Sequence, residues 1–117
     1  MLQIAIPKLP MRNKALTISY YVDQLGFSLI NDYGDYLLLE KDQIELHFFA
    51  HPDIIPEEND GQVYCRVSDI NAWYQELLDK QVAIHPNGKL EDKPWKQREF
   101  SLLDPDNNLL TFGEAIL

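Results

Sequence analysis

The sequence predicts an α+β chain built from two tandem βαβββ modules, and three observations carry that prediction. A strand–helix–strands order occurs twice. The two occurrences are offset by roughly 55–65 residues, as a duplicated unit requires. Residues also recur between them: Leu38-Leu39-Glu40-Lys41-Asp42 lies over Leu102-Leu103-Asp104-Pro105-Asp106, and Phe48 falls over Phe112.

In chain order, a short strand is expected around LQIAI, residues 2–6. Residues 12–25 then place Ala15, Ile18, Val22 and Leu25 at helical spacing, with Gly26 as the stop. Strand-like runs follow at FSLIND, DYLLLE and QIELHFFA. The stretch 51–61 is rich in Pro, Asp and Glu and reads as a linker centred on about 53–59. This divides one domain, 1–117, into modules of about 1–52 and 60–117. The second module opens on the strand QVYCRV. A helix over 69–80 follows, with Asp69 as N-cap, Lys80 in its last turn, and Ile70, Trp73, Tyr74, Leu77 and Leu78 as its stripe. REFSLLD and NLLTFGE read as strands, and a further strand before Pro94 is weaker because the prolines of 85–94 exclude a central position.

Alternation sorts the strand residues by face. Ile44, Leu46, Phe48 and Ala50 share one side of their strand, and Glu45, His47, Phe49 and His51 the other. Val63, Cys65 and Val67 oppose Gln62, Tyr64 and Arg66. Each sheet thus gains an apolar side for its helix and an aromatic, polar side suited to a ligand cleft. A solvated back face is the competing reading, against which Phe49 and Tyr64 weigh.

Composition narrows the class. The 45% hydrophobic and 25% charged fractions are those of a globular chain. No apolar run approaches the ~20 residues of a membrane span. Pro7 and Pro10 interrupt any leader-like stretch, and Cys65 stands alone, so a reducing cytoplasm is expected. With 19 acidic against 10 basic residues the formal charge is −9, which disfavours nucleic acid and anionic membrane as partners. Acidity alone reads equally as solubility.

In LPMRNKALTISYYVDQLGF, IELHFFAHPD and PWKQREFSLLDPDNNLLTF the chain resembles the vicinal-oxygen-chelate superfamily, and within it the bleomycin resistance proteins. LPMRNKALTISYYVDQLGF is similar to the superfamily's opening signature, and the Asp104-Pro105-Asp106 turn is shared superfamily-wide. IELHFFAHPD and PWKQREFSLLDPDNNLLTF point more specifically to the antibiotic binders. The chain departs from the pattern at Asn13, where Asp is usual, and at Asn107, where Gly is usual. The resemblance implies curved mixed sheets around a concave cleft. It also implies a homodimer with exchanged N-terminal arms, stiffened by Pro10, and clefts lined by both subunits. The family sequesters its drug without altering it.

Superfamily enzymes hold a divalent metal with four ligands. Carried over, those positions fall near Ile6, Gln62, Glu45 or His47, and Thr111. Ile6 cannot ligate and Thr111 is a poor ligand, so neither metal nor cofactor is expected. His47, His51 and His85 lack ligand spacing, Cys65 reads as a buried small hydrophobe, and no nucleophile or phosphate motif occurs. The expectation is a non-enzyme.

For a bleomycin-class glycopeptide, with its flat bithiazole, cationic tail and polar head, Trp95, Phe49, Tyr33 and Tyr36 would stack, at ~0.5–1.5 kcal/mol per pair. Asp32 and Asp35 would attract the tail, and His47, Gln62, Tyr64, Arg66 and Arg98 would meet the head or floor. Duller roles compete: an edge cap for Trp95, local packing for Tyr33 and Tyr36, and a cross-strand pair for Arg98 or Glu99. Tyr20, Tyr21, Trp73 and Tyr74 are assigned to core or dimer packing. Two other functions remain in play, a metal-dependent glyoxalase-like lyase or transferase, and a binder of another flat metabolite.

Overall fold

In the computed structural model, which describes residues 1–117, the first strand lies later than the sequence suggested: β1 is Lys8–Met11, not 2–6. It runs parallel to β4 (Ile44–Ala50) at the sheet edge. The carbonyls of Pro7 and Met11 accept from the β4 side, at 3.1 Å from His47 N–H and 2.8 Å from His51 N–H. By alternation Pro10 points its N–H-less nitrogen away from β4, which only an edge strand permits. Residues 1–7 form no regular element and leave Met1, Leu2 and Ile4 exposed.

Helix α1 (Lys14–Ile18) starts where Asn13 accepts from the N–H groups of Ala15 and Leu16, so Asn serves the capping role as well as Asp would. It continues as a π-helical turn over Ser19–Gln24, in which Leu25 N–H reaches back to the Tyr20 carbonyl at 3.0 Å. The wider turn changes the buried stripe. Thr17, Tyr20, Tyr21 and Leu25 face inward, while Ala15, expected inside, is exposed. Gly26 ends the element at φ +85°, as its position suggested.

The two adjacent tyrosines fare differently. Tyr21 Oη donates to Asp104 Oδ2 at 2.7 Å, whereas the buried Tyr20 hydroxyl has no partner. Tyr20→Phe should therefore raise stability by about 1 kcal/mol, and Tyr21→Phe should lower it by about 1–2 kcal/mol. Urea unfolding midpoints of the two variants check this. Equal midpoints would contradict it.

The first sheet has the order β1-β4-β3-β2, with β2 at Ser28–Asp32 and β3 at Tyr36–Lys41. The second repeats it as β5-β8-β7-β6, with β5 Gln62–Arg66, β6 Glu91–Lys93, β7 Gln97–Leu103 and β8 Leu109–Ala115. Register refines the internal repeat. Phe48 and Phe112 do correspond, but Leu39, paired with Leu46, matches Leu102, paired with Leu110. The expected alignment of Leu38 on Leu102 is thus one residue out, because the β7–β8 connection is longer than the β3–β4 turn.

Helix α2 (Ile70–Asp79) is capped by Asp69 and packs on β7 and β8. Ile70 and Leu77 are buried, Trp73 and Tyr74 are half-buried, and Leu78, expected in the stripe, is exposed. Its ring edges meet the sheet: Trp73 on Phe112 at 5.7 Å and Tyr74 on Phe100 at 4.9 Å. One hydrophobic cluster draws on both halves. Cys65 lies within it, and burial pushes its thiol pKa up, so it behaves as the small hydrophobe expected. No helix is long and apolar enough to cross a membrane.

A polar hub at the β7–β8 turn ties the halves together. Asp104 accepts from Tyr21 Oη, Asn108 Nδ2 and the N–H groups of Asp106 and Asn108. Asn108 Nδ2 also reaches the Pro10 carbonyl at 3.0 Å, and Arg12 Nε meets Asp106 at 2.6 Å. Asn59, in the linker, joins through Asn108 Oδ1 and the Asp106 carbonyl. Asn107 takes φ +61°, the left-handed conformation that Gly and Asn adopt most readily.

Candidate functional site

The faces of the two sheets that turn away from the helices collect the aromatic and ionisable side chains. On the first sheet, register sets Lys8 beside His47 and Pro10 beside Phe49, with Tyr36 beside Phe49 and Glu40 beside Glu45. A short relay runs across this face. Tyr36 Oη and His47 Nδ1 are 2.8 Å apart, and His47 Nε2 is 2.6 Å from Glu45 Oε2. The Lys8 ammonium sits 5.5 Å from the Tyr36 ring centroid. Tyr36, His47 and Phe49, three of the expected binding residues, are therefore brought together.

On the second sheet Gln62, Tyr64 and Arg66 share the corresponding face of β5, beside Leu109, Thr111 and Gly113 of β8. Gly113 leaves room for the Tyr64 ring: a Cβ would stand 1.9 Å from its hydroxyl oxygen and 2.6 Å from Cζ, so the ring would have to move. The Tyr64 ring lies across this gap and its hydroxyl donates to Glu99 Oε2 at 2.7 Å, and the same oxygen accepts from Trp95 Nε1 at 3.0 Å. Burial, then the bond to Glu99, raises the Tyr64 pKa, so the hydroxyl remains a donor at neutral pH. Arg66 covers the Tyr64 ring at 5.1 Å and donates to Gln97. Trp95, in the β6–β7 turn, is 60% exposed, which leaves its ring free to stack.

Three expected residues are placed elsewhere or at the margin. Arg98 projects from the helix side of β7, where it pairs with Asp92 at 2.7 Å and touches Asn71 at the start of α2. That is the cross-strand role weighed against ligand contact. Asp32 pairs in register with the buried Leu37 and bonds to Lys14 of α1. The Gly34 N–H, then Lys14, hold its carboxyl below the usual range, so its charge is already matched. Tyr33 stands exposed in the β2–β3 turn, at the rim of the first face. Gln62 also borders a cavity of about 270 Å³ with Glu57, Asp60 and His85. Glu99, which sequence reasoning left as a cross-strand partner, is the acid at the centre of the second face.

The four positions carried over for a divalent metal do not fit one. Ile6 lies before β1, Glu45 and His47 bond to each other, and the Thr111 hydroxyl meets Ser101 at 3.2 Å. No three His, Cys, Asp or Glu side chains are grouped to hold an ion. A larger crevice, about 850 Å³, opens on the helix side between the β3–β4 turn and α2, lined by Phe27, Lys41, Ile44, Cys65, Trp73 and Phe112 among others.

Residues 5–117 match the model of the glyoxalase-like domain. A bleomycin resistance protein of Geobacillus stearothermophilus is 32% identical, over 96% of each chain. Among solved structures, the bleomycin resistance determinant encoded on transposon Tn5 superposes with a TM-score of 0.89 at 26% identity, over 99% of this chain and 100% of that one. A bleomycin-binding protein complexed with bleomycin gives 0.86 at 26% identity, over 97% and 98%. The resemblance drawn from the Leu-Gly-Phe, Phe-Phe-Ala-His-Pro and Arg-Glu-Phe stretches is borne out: this chain belongs to the glyoxalase-like domain family, in the group that contains the bleomycin resistance proteins.

Proposed function

We propose that this chain captures a bleomycin-class glycopeptide antibiotic and holds it unaltered, conferring resistance by stoichiometric sequestration. The observation that supports this most is the near full-length match to a bleomycin-binding protein complexed with its drug. The two faces supply suitable chemistry. Tyr36, His47 and Phe49 form one wall, with Tyr33 at its rim, and Gln62, Tyr64 and Trp95 form the other. Flat rings stack on the bithiazole, while the relay and Gln62 offer hydrogen bonds to the polar head. Asp32 and Arg98 contribute charge balance and sheet support instead of drug contact, given their pairing with Lys14 and Asp92.

The chain acts as a homodimer in this reading. The exposed Met1, Leu2 and Ile4 suit an arm that packs on a partner subunit, so that each cleft combines the first face of one subunit with the second of the other. The protein works in the cytoplasm, without cofactor or catalytic residue. Calorimetric titration with bleomycin tests the proposal. Binding at micromolar strength or tighter, about 8 kcal/mol or more, near one drug per subunit and with the drug recovered at unchanged mass, is the expected result. No heat, or a modified drug, would contradict it.

A further inference from the structure

Glu99 is 8% exposed, yet it belongs to no ion pair in the chain. The neighbouring cations are engaged otherwise: Arg98 with Asp92 on the opposite face, Lys93 with Glu91, and Arg66 with Gln97 and the Tyr64 ring. Tyr64 Oη and Trp95 Nε1 both donate to one carboxylate oxygen, Oε2. Oε1 receives no hydrogen bond from the chain. Oε1 is not among the fully buried, unpartnered atoms of the chain, so this second oxygen stays open to an incoming donor. The carboxylate's two donors fix its orientation, and one of them is the exposed indole whose face attracts cations.

We propose that Glu99 is the specificity-determining anion of the ligand face, taking an ammonium or guanidinium N–H of the bound glycopeptide on Oε1, with the Trp95 ring alongside that cation. This rests on the capture reading and names which part of the ligand the second face selects. It also moves cation recognition away from Asp32, whose charge Lys14 already answers. A charge-assisted hydrogen bond in an enclosed site discriminates strongly between a cationic terminus and a neutral or anionic one.

The test is a titration of wild type and Glu99→Gln with two probes: bleomycin bearing its cationic terminal amine, and the same glycopeptide ending in a free carboxylate. The amide that replaces the carboxylate retains an oxygen for Tyr64 and Trp95, and a thermal melt checks the variant's fold. Wild type is expected to favour the cationic form by about tenfold or more, and Glu99→Gln to lose that preference, the cationic form binding the variant about tenfold more weakly than it binds wild type. As a measurement independent of any variant, rising salt should weaken wild-type binding of the cationic form more than that of the carboxylate form. Retention of the preference in Glu99→Gln, or equal wild-type affinity for both probes, overturns the anchor and leaves capture standing. Failure of wild type to bind either probe overturns capture, and the anchor with it.

Discussion

Replacing Asp104 with Ala should destabilise the protein by about 3–5 kcal/mol, a large share of the ~5–15 kcal/mol that domains of this size possess. Four donors lose their acceptor at once: Tyr21 Oη, Asn108 Nδ2 and two backbone N–H groups. The loss also frees Asn108 from the position in which it holds the Pro10 carbonyl, so β1 loosens together with the turn. Urea unfolding measures the change, and a loss below about 1 kcal/mol would mean the hub is incidental.

The pH dependence of the same group has a defined sign. Burial raises the Asp104 pKa above 3.8, outweighing hydrogen bonds that lower it. A carboxyl whose folded pKa exceeds its unfolded value contributes stability that is fully present below about 3.8 and fades as pH rises through the folded value. The stability gap between wild type and Asp104→Asn should therefore be widest in acid and shrink above it. The opposite trend would show that the hydrogen bonds outweigh burial.

The largest expected effect on binding is that of Trp95→Ala. Exposed aromatic anchors commonly dominate such interfaces, and removal of this ring should weaken bleomycin binding by about 10- to 100-fold. Because Trp95 is 60% exposed, folding stability should change by less than about 1 kcal/mol. Trp95→Phe separates the two contributions of the side chain: it keeps a stacking face and loses the indole N–H to Glu99, so its affinity should fall in between. A Trp95→Ala variant that binds as wild type does would remove the second wall from the proposed site.

Much of this architecture was legible because β alternation is unforgiving. Leu46 and Phe48 had to face the helix, which sent His47 and Phe49 to the other side, and the same logic worked for Cys65 against Tyr64. Asp69 and Gly26 marked helix ends through chemistry that is local in sequence. The failures arose where tertiary geometry decided. Tyr20 and Tyr21 are buried, in keeping with their assignment to packing, but a π turn has no distinctive spacing to read, so the exposure of Ala15 was not foreseeable from a 3.6-residue period. The parallel partner of β1 lies some forty residues away, and its register placed the strand at Lys8.

Glu99 is the instructive miss, because its signal was present. Phe100 and Leu102 belong to the helix side, and alternation then puts Arg98 with them and Glu99 with Ser101 on the face of Tyr64. What alternation could not supply is the convergence of Tyr64 and Trp95 on one oxygen, for which Gly113, paired with Glu99 on the neighbouring strand, leaves room.

A crystal structure of the protein with bound bleomycin tests the central claim most directly. Drug density is expected against Tyr36, His47 and Phe49 on one side and Tyr64, Trp95 and Glu99 on the other. Density instead in the helix-side crevice, beside Trp73 and Lys41, would contradict it.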